Sequence, residues 1–229
     1  MNKLTSIAMV AALAAAGSTG AAAYEQGDLI LRLGAITVAP DEDSDDINLP
    51  TAPAVTSLPG ISIDNDTQLG IAGTWMFRDQ WGLEVLAATP FEHDFKVNGL
   101  NIDGGSVSHL PPTVSVQWYP RGGSAGWQPY LGVGVNYTYI YDEEVSGTLK
   151  GALGAVLGAS SAKLDLDNSI GPAVQAGLDI PLGENIALNI GVWYIDIGTE
   201  ATIKTDVGKV KFDVDIDPWV YNVGIAWRF

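Results

Sequence analysis

The sequence contains no cysteine, two histidines, and 11 basic against 27 acidic side chains in 229 residues. Without cysteine there is no disulfide framework and no thiolate metal site. Stability must come from an extensive hydrogen-bonded framework instead. The net charge of −16 repels phosphate backbones, so a nucleic-acid partner is not expected. The acidic balance suits a salty habitat or divalent cations beside lipopolysaccharide, and composition leaves both open. Imidazole chemistry is confined to His93 and His109, at the two ends of one polar segment. Ser106 and Ser108 lie nearby, but mobile loop ends are poor catalytic scaffolds. Ser160-Ser161-Ala162-Lys163 reaches a Ser–Lys spacing by chance in a Ser- and Ala-rich stretch. The sequence is read as lacking a Gly-x-Ser-x-Gly elbow and the His-Glu-x-x-His metal spacing. No catalytic residue, metal ligand or cofactor site is assigned.

Long hydrophobic runs are also missing. The longest, Ile7–Ala16, is far short of the roughly 20 residues that span a bilayer as a helix. It follows Lys3 and precedes Ala21-Ala22-Ala23, the layout of a secretory signal peptide. Residues 1–23 are therefore expected to be a signal peptide, and 24–229 a single domain.

What the chain does have is two-residue alternation, the period of a strand with unlike faces. In the last segment Trp219, Tyr221, Val223, Ile225, Trp227 and Phe229 share one face. Val220, Asn222, Gly224, Ala226 and Arg228 share the other. The bulky face of an exported chain is best placed against lipid. Similar segments lie at Asp28–Val38, Asp66–Phe77, Trp81–Glu92, Leu110–Pro120, Gln128–Tyr141, Ile170–Ile180 and Asn185–Ile197, and with Asp217–Phe229 they make eight. An even number of strands, each about ten residues long, predicts an all-β, eight-stranded antiparallel transmembrane β-barrel. The barrel must close, because an open edge leaves backbone groups unpaired in lipid. Short turns at Arg78-Asp79-Gln80, Arg121–Gly126 and Pro181–Glu184 alternate with long polar segments at Ala39–Asn65, His93–His109, Asp142–Ser169 and Gly198–Ile216. This is the asymmetry of periplasmic turns and extracellular loops. Trp75, Trp81, Trp118, Trp127 and Trp227 then mark an inner aromatic girdle. Trp193 and Trp219, with Tyr137, Tyr139, Tyr141, Tyr194 and Tyr221, mark an outer one.

A set of short stretches in fixed order carries a resemblance. They are Asn65–Gly70, Glu84–Phe91, His109–Thr113, Gln117–Tyr119, Pro129–Thr138, Val192–Ile197 and Asp217–Val220. Together they resemble the outer membrane protein W family, which includes the alkane-uptake protein AlkL, over nearly all of residues 24–229. The resemblance implies an outer-membrane barrel of a Gram-negative bacterium that helps small hydrophobic molecules across. Departures fall in acidic Asp41–Asp46 and small-residue-rich Gly151–Ala162, in the segments where ligand preference would be set.

Eight strands enclose an interior that side chains largely fill, so a wide aqueous pore is not expected. The inward phase places Arg32, Glu84, Asp179 and Arg228, with Gln68 and Gln117, in or near the periplasmic half, as a polar plug. It places Ile36, Ala72, Leu86 and Ala88 above it, as an apolar lumen. Pro90, Pro111 and Pro112 crowd the outer ends of the third and fourth strands. There they either form a lateral seam from lumen to bilayer or simply end the strands. The apolar stretch around Leu149, Leu153, Val156 and Leu157 reads as a lid or short helix over the mouth, or as packing on the rim. Asp41–Asp46 reads as a solvated loop or a cation site. The expected partners are outer-membrane lipid, lipopolysaccharide and small hydrophobic solutes. The competing reading is a structural or receptor-type barrel without transport.

Overall fold

The computed structural model describes residues 23–48, 57–58 and 60–229. The signal-peptide expectation therefore lies, except for its last residue, outside the described residues. Eight strands form the barrel: β1 (Leu29–Ala39), β2 (Asp66–Arg78), β3 (Trp81–Ala88), β4 (Thr113–Trp118), β5 (Gln128–Val145), β6 (Ser169–Pro181), β7 (Ile186–Ile195) and β8 (Trp219–Arg228). Each pairs antiparallel with its neighbours. The first and last strands pair, β1 on β8 (Ile30 opposite Arg228), and β4 on β5 completes the ring (Thr113 opposite Asn136). Closure leaves no strand edge for lipid to face.

The residue pattern is inside out relative to a soluble protein. Val133 and Ile170 are 65% and 74% exposed on the wall, whereas Arg32 and Glu84 are 3% and 0% exposed within. An apolar outer face is stable only where the surrounding solvent is hydrocarbon. Trp219, Tyr221 and Val223 point outward, as the alternation requires. Trp193 does not. It is 2% exposed, inside the barrel, so its assignment to the outer girdle is corrected. The inward phase of β7 runs Ala187, Asn189, Gly191, Trp193, Ile195. A Cβ on Gly191 would sit 2.8 Å from the indole, so the glycine makes room for the ring.

The long segments also depart from expectation, for they are not simple polar loops. Beyond the barrel, Ile61–Ile63, Phe91–Val97 and Ile102–Leu110 form a sheet that continues from the outer half of β5. Ala162–Leu166, Gly198–Thr205, Gly208–Asp215 and Asp43–Ser44 form a second sheet. The third expected strand, Trp81–Glu92, is thus broken at Thr89-Pro90, and the fourth, Leu110–Pro120, at Pro111-Pro112. Helix α1 (Gly147–Leu157) starts at Ser146, whose side chain accepts from the Leu149 amide, and stops at left-handed Gly158. It packs Leu149 and Leu153 onto an apolar cluster with Phe95, Leu164, Phe212 and Val214. The barrel is therefore extended outward by a second, hydrophobic storey.

Candidate functional site

From the periplasmic end upward, the interior is layered. At the rim, Arg228 donates to the Ala23 carbonyl (2.6 Å) and the Asn185 side chain (2.8 Å), and lies 3.5 Å from Asp28. Above it lies an apolar floor of Tyr24, Ile30, Met76, Ala187 and Ala226, with the rings of Tyr119 and Tyr130. This floor separates Arg228 from the charged cluster, which corrects its assignment to the plug. Arg228 is paired opposite Ile30, two residues below the level of Arg32 opposite Ala226.

Arg32 is the centre of the next layer. Its guanidinium donates through Nη1 to Glu84 (3.1 Å) and Thr74 (2.7 Å), and through Nη2 to Asp179 (2.6 Å) and Tyr119 (2.9 Å). Nε donates to Asp179 (3.3 Å). Five N–H groups thus meet five acceptors, the full donor inventory of arginine. The Tyr130 ring lies 4.8 Å from the guanidinium carbon. Two carboxylates face one cation, and neutral donors supply what the charge count lacks. Gln117 and Gln175 donate to Glu84 at 2.7 and 3.0 Å, while Tyr24 and Asn189 donate to Asp179 at 2.8 and 2.7 Å. Buried charges are tolerable only when satisfied in this way. The cluster crosses the barrel from β1 to β3 and β6.

Arg32, Glu84, Asp179 and Gln117 were legible from alternation, whereas Gln68 lies higher, bonded to Asp66 at 2.8 Å. Thr74, Tyr119, Tyr130, Gln175 and Asn189 were not singled out, although Tyr119 directly follows β4 and each of the others sits on the inward phase of its strand. Gly177 signals Tyr130, since a Cβ there would lie 2.2 Å from the phenol ring.

Above the plug, Ile36, Ala72, Leu86 and Ala88 meet in one apolar cluster with Val38, Phe91, Ala173, Trp193 and Val220. This layer is packed rather than open. The open space is higher, in the outer storey. A cavity of about 80 Å³ is lined by Val38, Ile197 and Ile216 from below and by Phe95, Leu149, Leu164 and Phe212 around it. Both histidines, His93 and His109, also line it. They stack at 5.0 Å with 18° between rings, and Phe91 stacks on His109 at 5.4 Å. Burial and the neighbouring His93 hold the His109 imidazole down to about 3, against an opposing pull from Asp66.

The prolines fall beside this stack. β3 and β4 pair from Trp81–Trp118 up to Leu86–Thr113, and pairing between the two chain segments resumes at Phe91–His109. Pro90, Pro111 and Pro112 stand in the interval. On the other side the seam is stitched: Tyr137 N–H donates to the Pro112 carbonyl at 3.0 Å, and the Asn136 side chain donates to the Pro111 carbonyl at 3.1 Å. Phe91, where pairing resumes, is 1% exposed and packs into the apolar cluster below the cavity.

One motif needs correction. A Gly-x-Ser-x-Gly spacing does occur, at Gly122–Gly126. It lies in the turn between β4 and β5, at the opposite end of the barrel from both histidines, and no helix follows it. The strand–turn–helix context of a nucleophile elbow is missing.

Residues 25–229 match the OmpW family model. The chain is 37% identical over 224 residues to outer membrane protein W of Vibrio cholerae, covering 96% of this chain and 97% of that one. It is 26% identical over 213 residues to outer membrane protein AlkL of Ectopseudomonas oleovorans, covering 91% of this chain and 85% of that one. The crystal structure of the outer membrane protein OprG from Pseudomonas aeruginosa superimposes with a TM-score of 0.79. That structure is 41% identical, and the match covers 93% of this chain and 99% of it. Barrel closure, lipid-facing wall and sequence agree: this chain belongs to the OmpW family of Gram-negative outer-membrane β-barrel proteins.

Proposed function

We propose that the barrel facilitates passive entry of small hydrophobic molecules, taken up in the outer cavity and released sideways into the bilayer. The observation that carries this reading is the juxtaposition of an apolar cavity and a sealed axis. An apolar solute gains by entering the cavity, but the Arg32–Glu84–Asp179 layer would charge it the desolvation of a satisfied ionic network to go further. The interrupted pairing at Pro90, Pro111 and Pro112 offers the alternative, with Ile36, Ala72, Leu86 and Ala88 as the apolar surface beneath. Residues 1–23 serve export on this reading, and the wall contacts lipid and lipopolysaccharide.

The test uses vesicles with a lipopolysaccharide outer leaflet and the barrel inserted. Entry of n-octane should be accelerated, with little ion conductance. Replacing Pro90, Pro111 and Pro112 by Val or Thr should slow entry without changing conductance. Undiminished entry through the triple variant would remove the lateral exit. No acceleration by the unaltered protein would favour a structural or receptor role.

A further inference from the structure

The outer cavity is lined mostly by apolar side chains. Among its polar lining residues, Thr138 donates to Asn136 (2.6 Å) and Thr199 to the Asp167 carbonyl (2.7 Å), so neither hydroxyl hydrogen is available. The imidazoles differ. His93 Nε2 and His109 Nδ1 are buried with no hydrogen-bond partner among the described residues. Such atoms cost free energy unless something pairs with them.

The bonding of His93 fixes which kind of partner is wanted. Its Nδ1 lies 2.6 Å from the Asp64 carbonyl oxygen, which can only accept. Nδ1 therefore carries the hydrogen, and in the neutral ring Nε2 presents a lone pair. That lone pair, on a side chain 6% exposed, needs an O–H or N–H donor. An ammonium would pay heavily for desolvation in this cavity. A carboxylate has no hydrogen to give.

We propose that the cavity selects hydrophobic molecules bearing one neutral hydroxyl, anchored by donation to His93 Nε2. This rests on the uptake reading and narrows its substrate class. The apolar tail lies among Phe95, Leu149, Leu164 and Phe212, and the hydroxyl sits at the histidine stack, next to the proline seam. The anchor holds the solute at its exit.

Protein with ¹⁵N-labelled histidine, in lipid nanodiscs at pH 7.5, would be titrated with 1-octanol and with n-octane. The Nε2 signal of His93 should read as unprotonated, move with octanol and ignore octane. In vesicles, the ratio of octanol to octane entry should fall about fivefold in His93→Phe relative to the unaltered protein, the worth of one ordinary hydrogen bond. A Nε2 that carries a proton at pH 7.5, or that does not respond to octanol, overturns the inference and leaves octane uptake standing. Failure of the unaltered protein to speed entry of either solute overturns the uptake reading, and with it the alcohol preference that rests on it.

Discussion

The two polar groupings inside this molecule solve burial in opposite ways. In the plug, every hydrogen of Arg32 has an acceptor, and each carboxylate gathers amide or phenol donors besides. In the outer cavity two imidazole nitrogens have no hydrogen-bond partner among the described residues. A satisfied network is rigid. On the proposed reading it shuts the axis, the unsatisfied pair meets what arrives from outside, and the barrel separates closing from receiving.

The largest expected effect breaks the first half of this comparison. Arg32→Met leaves Glu84 and Asp179 buried without their cation and should cost about 3–5 kcal/mol, read as a lower unfolding midpoint in lipid. Adding Glu84→Gln and Asp179→Asn should recover much of the loss. The outer storey should respond differently. Leu149→Ala or Leu153→Ala removes a buried anchor of α1 and should cost about 2–5 kcal/mol. That cost should stay local: hydrogen exchange should quicken in α1 while β1–β8 keep their protection.

A smaller effect comes with acid. His109 is held down to about 3 by burial and by His93, against its ordinary 6.5. Between those values the unfolded segment binds more protons than the folded one. Stability of the outer hairpin is therefore full above 6.5 and falls as pH drops towards 3. The loss should reach no more than about 2 kcal/mol at pH 5, and His109→Phe should flatten the profile. The smallest effect concerns Lys204 and Asp165, 2.7 Å apart with side chains 40% and 45% exposed. Replacing both by Ala should change stability by less than about 1 kcal/mol, since water screens the pair.

How far the sequence could be read followed the same division. In the barrel, lipid on one side and a narrow interior on the other force a clean period of two, so Arg32, Glu84 and Asp179 could be placed on the inward face. Trp193 escaped because an indole near a strand end fits a girdle as well as an interior, and the space left by Gly191 shows only in three dimensions. Arg228 was placed one layer too high, because phase gives the face and not the depth. Above the membrane the period persists in Phe91, His93, Phe95 and Val97, and again in Val210, Phe212 and Val214. There the alternate positions carry Glu92, Asp94, Lys96, Lys209, Lys211 and Asp213, so the stretches read as polar loops rather than as strands covering an apolar core. The helical option for the Leu149 segment was visible in its composition, but the cavity it covers was not.

The most direct test follows the solute itself. Intermolecular magnetisation transfer from n-octane to the barrel in nanodiscs should reach Phe95, Phe91 and Leu86 and the wall beside Pro112, and stop short of Gln117, Gln175 and Met76. Transfer to Gln175 or Met76 would show passage along the axis through the Arg32 layer, and would contradict the account.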